Sequence, residues 1–425
     1  MTSTTPVEGL PARRAALRLI DAVLRRGESL DHAMNGAVKG IGRGDDRALA
    51  LAIASETLRR LPDLDAMIDS ATKRPLPDDA KARSVLRIAL TQAWVLGTPQ
   101  HAAIATALPL VAGGPRRLVH GVFGTLMRGQ AELPDIPRLP QETRARWMAS
   151  WGPDFVAAAS RAIAAPPPLD LTLKPGEDAV ATAETLGGVS LAPHHVRLPR
   201  GGELTALPGF DEGAWWVQDI AASLPARLLG EGNGRRVLDL CAAPGGKTMQ
   251  LASAGWAVTA LDQSAKRLGR LDENLARTGL CAETVTADAL RWDAPQPFDA
   301  VLLDAPCSAT GIFRRHPDVL HRIGERDIAE RAELQSALLD RAAQAVAPGG
   351  TLVYAVCALE PEEGEAQAAA FLARHGDFAV APIMAEELPQ SIAPTTGGYL
   401  RTVPSMLAEQ GGLDGFFVAR FQRAE

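Results

Sequence analysis

From residue 216 onward the chain repeats one rhythm, strand, turn, helix. "RRVLDLCAAPGGKTMQLA" reads as strand, Gly-rich turn and helix, and "AVTALDQSAKRLGRLDENLART" as strand, acidic turn and helix. "AETVTADAL" and "FDAVLLDAPCS" are strands with turns, the second leading into the helix "ERDIAERAELQSALLDRAAQAVA". "GGTLVYAVCAL" is a further strand, followed by the helix "EEGEAQAAAFLARH". Such alternation predicts a parallel, doubly wound α/β sheet with Rossmann-like connections. Ligands of such sheets sit at the carboxyl ends of the strands. Every chemically suggestive group in this half of the chain falls at such an end.

The rest of the chain has a different character, so the protein is multidomain. Residues 11–130 read as all-α. "ARRAALRLIDAVLRRG" carries apolar Ala15, Leu19, Ala22 and Val23 at helical spacing, with Gly27 as a stop. "DDRALALAIASETLRRL" and "DAKARSVLRIALTQAWVL" repeat the pattern behind aspartates suited to a helix N-terminus. "ELPDIPRLPQ" reads as a linker. A small α/β insert follows, with a strand near Leu169–Leu173, a helix in "EDAVATAETLG" and a strand in "VSLAPHHVRLP". His194 and His195 lie there without a third ligand and read as ordinary loop histidines. The expected domains are 1–133, helical; 134–215, linker and small α/β subdomain; and 216–425, the large α/β domain.

The Gly-rich turn "CAAPGGKT" fails two familiar patterns. A nucleoside-triphosphate loop would need glycine where Cys241 stands, and a dinucleotide loop needs a third glycine. A tight turn without side chains at Gly245 and Gly246 lets a ligand approach the backbone at a helix N-terminus. Asp262 ends the next strand, where a ribose-binding acid sits in a βαβ nucleoside site. Asp288 can accept from an adenine amino group, and Asp304 ends the fourth strand. This is a nucleoside cradle without phosphate clamps, which suits S-adenosylmethionine. The expected cofactor residues are Cys241, Ala242, Ala243, Pro244, Gly245, Gly246, Lys247, Asp262, Asp288 and Asp304. Lys247 reads equally well as a group orienting a substrate base and as a solvated lysine at a helix start.

A formal net charge of −6 does not advertise a nucleic-acid partner. Arg-Arg pairs at 13–14, 25–26, 59–60, 116–117, 235–236 and 314–315 read singly as solvated surface, but several together would make a phosphate-binding patch. Four cysteines, none in C-x-x-C spacing, argue against a disulfide scaffold or a zinc site. The first residues carry no apolar signal core and no apolar run is long enough to span a membrane. A cytoplasmic protein without metal, and a monomer, is expected.

The combination "LDLCAAPGGKT", "ALDQSAKRL", "TADAL", "LLDAPCSATGIFRRHPDV", "YAVCALEPEEGE" and "DGFFVARF" resembles the RNA cytosine-C5 methyltransferases of the RsmB/Nop/Sun type. The helical N-terminal part resembles the NusB-like domain of their bacterial rRNA members. The resemblance implies a class I methyltransferase domain, S-adenosylmethionine as donor and a cytosine of 16S rRNA as target. It implies RNA contacts from the helical domain and the insert. By this resemblance Cys357 is the nucleophile that adds to C6 of the base, Cys307 helps to release the product, and Asp304 contacts the N3 side. Such chemistry needs a thiolate, of which a free thiol of pKa ~8.5 supplies a few per cent at neutral pH. DNA cytosine-C5 enzymes use the Pro-Cys thiol instead, so Cys307 stands as the alternative nucleophile. Cys241 and Cys281 read as small buried fillers. Arg314 and Arg315, just past the Pro-Cys turn, are expected near the active-site mouth on RNA phosphate.

The sequence departs from the family pattern at Val356 and Ala358, where small polar residues are usual, at Gly364 in place of Asn, and at Ala309 in place of Gly. A tRNA target, or a non-catalytic RNA-binding assembly factor, are the competing readings. Two thiols and Asp304 at strand ends speak against a vestigial site.

Overall fold

The computed structural model describes residues 9–425; the residues before Gly9, including most of the stretch read as lacking a signal core, lie outside it. The chain forms two compact units. One takes in the chain to Ala165 together with Arg315–Gly324; the other comprises Pro166–Arg314 and Glu325–Glu425.

The first unit is helical. Helices Leu10–Arg26, Gly44–Arg59, Lys81–Leu90 and Gly113–Arg128 bury Leu19, Ile20, Ile53, Val85, Leu86 and Phe123 in one core. The expected stop at Gly27 is present: at φ 66° its N–H closes on Ala22 and Val23 carbonyls. The helix Gln141–Ala162, broken at Gly152 (φ 82°) before Pro153, belongs to this unit, which therefore runs past the linker expected to end it. Three arginines read as solvated are buried among the described residues. Arg13 donates to Gln92 at 2.7 Å, Arg59 to the Ile163 carbonyl at 3.1 Å, and Arg314, in the second unit, is also interior. Arg116 and Arg117 are exposed.

The segment Arg315–Gly324 docks into this helical unit. Thr143 donates to the Leu320 carbonyl at 3.0 Å, and the His321 ring sits 2.7 Å from the Leu58 carbonyl. Burial lowers the His321 pKa to about 4. The folded state thus binds fewer protons than the unfolded state, whose histidine titrates near 6.5. Stability is full above pH 6.5 and falls as pH drops from 6.5 towards 4, by up to ~3 kcal/mol. Thermal melts at pH 7 and pH 5 should show this loss, and His321→Gln should flatten that part of the profile. Equal slopes in the two proteins would refute the assignment to His321.

The second unit carries two sheets. The smaller is antiparallel in the order β2-β1-β3, from β1 (Leu169–Leu173), β2 (His195–Leu198) and β3 (Trp215–Val217). Its helix Ala179–Leu186 starts at Asp178, which accepts from the Val180 and Ala181 amides. The boundary expected at 216 therefore falls inside β3, which pairs with β1 across Leu171 and Val217. Asp170 of β1 is wholly buried and takes both arms of Arg197, at 2.7 and 2.8 Å, and the Ile220 amide at 3.1 Å. Burial opposes its ionisation, but the bonds from Arg197 and His195 hold the carboxyl well below the usual range. His195 lies inside β2 beside Asp170, rather than in a loop.

The larger sheet contains β4 (Arg236–Leu240), β5 (Ala257–Asp262), β6 (Glu283–Thr286), β7 (Phe298–Asp304), β8 (Val346–Val356), β9 (Phe378–Val380), β10 (Leu400–Thr402) and β11 (Phe416–Arg423). The order is β10-β11-β8-β7-β4-β5-β6, with β9 on β11. Strands β4 to β8 are parallel as expected, with the switch in strand order at β4. The sheet is nevertheless mixed, since β11 runs antiparallel to β8, β9 and β10. The connection into β11, residues 403–415, holds the 3₁₀ turn Ala408–Gln410 and no α-helix, the usual crossover between parallel strands.

Candidate active site

The carboxyl ends of the five parallel strands face one region. Below the Gly-rich turn, Asp239 of β4 is buried and accepts from Thr248 Oγ1 at 2.6 Å; burial pushes its carboxyl up to about 7. Gly245 has φ 106°, and a Cβ there would lie 2.7 Å from Leu271, so the turn requires glycine. Asp262, at the end of β5, is buried and accepts from the Ala243 amide at 3.2 Å and the Ser264 amide at 2.9 Å. One carboxylate thus ties the turn to the next helix start.

Of these groups Asp262 walls a cleft of about 630 Å³, open mouth included, lined also by Cys241, Asp288, Leu290, Pro306 and Leu334 among others. Arg267, its basic lining group, is paired with Asp262 at 3.3 Å and bonded to the Ala243 carbonyl. The polar side chains of the lining are thus two carboxylates, Gln263 and an arginine already paired with Asp262, among backbone and apolar walls. This fits a nucleoside without phosphates. Gln263, Arg267 and the apolar Leu334 and Leu338 were not foreseen; the last two come from a helix distant in sequence. Cys241 lines the cleft and its thiol is pushed up to about 12 by burial, so it stays protonated. Cys281 is exposed, not a buried filler, because it lies in the loop after the helix Ala265–Thr278.

Past the cleft, Cys307 and Cys357 meet with their sulfurs 3.4 Å apart, both free thiols. Cys357 directly follows β8, and Cys307 lies in the turn after β7. Lys247 is buried, not solvated: its Nζ is 2.7 Å from Asp304 Oδ2 and 5.4 Å from the Phe416 ring centre. Burial would lower its pKa, but the charge and hydrogen bond of Asp304, with help from the nearby Cys357 sulfur, raise it. Lys247 is thus a fixed cation beside Asp304 and within electrostatic range of Cys357. The hydrogen bond to Cys357, then burial, holds the Cys307 thiol well above its ordinary value.

A polar network beneath the thiols sets their spacing. Glu363 accepts from the Ser308 amide and from Gln335, both at 2.8 Å, and Gln335 also donates to the Pro306 carbonyl at 3.0 Å. Glu360 accepts from Thr310, whose hydroxyl in turn accepts from the Leu359 amide at 3.0 Å. The Gly311 amide donates to the Cys357 carbonyl at 2.9 Å, and its carbonyl accepts from Gly415 at 2.9 Å. A Cβ on Gly311 would collide with the Gly415 carbonyl. Ala309 adopts φ 58°, a left-handed conformation that suits the glycine usual in the resembled family. The glutamates were readable as the acidic run after the strand in "CALEPEEGE", but their partners were not.

Arg314 does not reach solvent. It is buried, bonded to Asp414 at 3.0 Å and 3.8 Å from Asp219, so its charge is spent inside the fold. This corrects its placement on RNA phosphate. Arg315 is half-buried and belongs to the helical unit, while Arg314 ends the α/β stretch. Among the described residues no group of side chains could hold a metal, and no helix is long and apolar enough to cross a membrane.

A Gly-rich turn and strand-end aspartates on a parallel sheet with an antiparallel edge are the features of a methyltransferase fold. The crystal structure of PH0851 shares it over 100% of both chains, with a TM-score of 0.75 at 23% identity. The profile of the 16S rRNA methyltransferase RsmB/F family matches residues 226–422, and that of the NusB family residues 10–117. Ribosomal RNA small subunit methyltransferase B of Erwinia tasmaniensis is 34% identical over 96% of this chain and 97% of its own. The protein of the same name from Xylella fastidiosa is 37% identical over 97% and 98%. The chain belongs to the RsmB/F methyltransferase family.

Proposed function

We propose that this protein transfers the methyl group of S-adenosylmethionine to C5 of a cytosine in 16S rRNA, through a covalent bond between Cys357 and C6, in the cytoplasm. The observation that carries the proposal is the pair of thiols 3.4 Å apart beside the Lys247–Asp304 pair, with Pro306, next to Cys307, lining the cleft. The names of the full-length relatives support the choice of rRNA.

Asp262 and Asp288 would hold the ribose and adenine of the donor, and Asp239, through Thr248, keeps the turn in place. When bound, S-adenosylmethionine supplies an electrophilic methyl. Cytosine C5 is a weak nucleophile, so Cys357 adds to C6 first, and the ring becomes enamine-like at C5. As the Cys357 sulfur gives up its proton and bonds C6, N3 takes up a proton, and Asp304, held by Lys247, accepts the N3–H hydrogen bond that stabilises the adduct. After methylation the C5 proton passes to water, its electron pair re-forms the C5–C6 double bond, and the C6–sulfur bond breaks. Cys307, kept as a thiol, stands 3.4 Å away to donate its proton to the departing sulfur.

Bisulfite sequencing of 16S rRNA tests the reaction. A strain without the gene should lose protection at a cytosine that the parent protects, and the full-length protein with S-adenosylmethionine should restore it. Unchanged 16S protection with a lost site in tRNA would move the substrate.

A further inference from the structure

The α/β unit holds a second cleft, of about 740 Å³ with its mouth, that shares no lining residue with the cofactor cleft. It lies between the small sheet and the C-terminal ends of the helices Ile220–Arg227 and Gly246–Ser253, and its walls include Thr172, His194, Trp216, Arg227, Glu231 and Ser253. Three polar atoms on these walls are buried and have no hydrogen-bond partner: Arg227 Nη2, Thr172 Oγ1 and Ser253 Oγ. Burial alone lowers the Arg227 pKa, to about 10, with no carboxylate acting on it, so the group is cationic at neutral pH.

Arg227 is half-buried, and a guanidinium nitrogen withdrawn from water without a partner, as its Nη2 is, counts against the fold. A cation in the last turn of a helix recovers only a small part of that loss from the helix dipole. Arg227 makes no hydrogen bond to a helix-end carbonyl that would add to this. A methionine would fill the same space without the desolvation loss. Residues held at the expense of stability are characteristic of binding sites. The forked guanidinium with hydroxyls beside it matches the two free oxygens of a phosphate. Glu231 on the rim and the negative helix ends disfavour a small dianion from solution. They are tolerable to a singly charged phosphodiester that is tethered to the protein at other points.

We propose that this cleft binds a phosphodiester of the RNA backbone, with Arg227 as the charged donor and Thr172 and Ser253 as hydroxyl donors. The proposal rests on the RNA reading above. It accounts for a basic contact in a chain of acidic total charge, and it lies outside the cofactor cleft.

The test uses full-length protein and 16S rRNA transcribed without modification, with binding measured over a salt series. Arg227→Met should weaken binding about tenfold at low salt and reduce the slope of log affinity against log salt by about 0.7–0.9, the loss of one phosphate contact. Arg227→Lys should keep most of the slope. Affinity for S-adenosylmethionine should match wild type in both variants, and the melting temperature of Arg227→Met should equal or exceed it. Wild-type slope and affinity in Arg227→Met would overturn the proposal. So would a lower melting temperature with lost cofactor binding, which would make Arg227 a structural residue. Wild-type protein that ignores the rRNA would overturn the substrate reading and this one with it.

Discussion

Cys357→Ala is expected to abolish methyl transfer to 16S rRNA, lowering kcat by about four to six orders of magnitude, the range seen when a covalent nucleophile is removed. Without addition at C6 the ring carbon has too little electron density to take the methyl group. The loss should fall on kcat and leave binding alone. Asp262, Asp288 and the Lys247–Asp304 pair do not depend on the sulfur. The fold should also survive, because β8 is anchored by buried Tyr354 and Val356 and by the Gly311 bond to the Cys357 backbone. Incorporation of labelled methyl into rRNA, with calorimetric binding of S-adenosylmethionine as control, measures both. Activity within tenfold of wild type would mean that Cys357 is not the nucleophile.

Cys307→Ala is expected to behave differently. Attack and methyl transfer should proceed once, because Cys357 and Asp304 are intact. Release should then stall, for the thiol 3.4 Å from the leaving sulfur is gone. Turnover should fall by about two to four orders of magnitude, as for loss of a general acid–base group. A single-turnover experiment should still show methyl transfer approaching one equivalent per enzyme. A variant with no burst at all would assign Cys307 to the attack.

The five parallel strands and their order of use along the chain were legible because strand and helix periods alternate and acidic or Gly-rich turns mark each strand end. The antiparallel edge was not, although "FFVARF" reads plainly as a strand: direction depends on what connects strands, and loops carry no periodicity. Asp262 and Asp288, which line the cleft, were visible one by one. Leu334, Leu338 and Arg267 were not, since their relation to the cleft is made by helix packing. The thiols were visible, but not their approach to 3.4 Å, which Glu363, Gln335 and Gly311 impose through contacts between distant segments. Arg314 misled for a related reason. An arginine beside an active-site motif reads as a phosphate ligand until Asp414, far along the chain, is seen to neutralise it. Lys247 was ambiguous in sequence because burial, which turns a solvated lysine into a partner of Asp304, is a tertiary property.

Denaturing electrophoresis of the two cysteine variants, each mixed with S-adenosylmethionine and labelled 16S rRNA, separates the thiol roles in one gel. The arrangement of the site predicts a covalent protein–RNA band that accumulates in Cys307→Ala and is absent from Cys357→Ala. A band that accumulates in Cys357→Ala and is absent from Cys307→Ala would contradict it and make the Pro-Cys thiol the nucleophile.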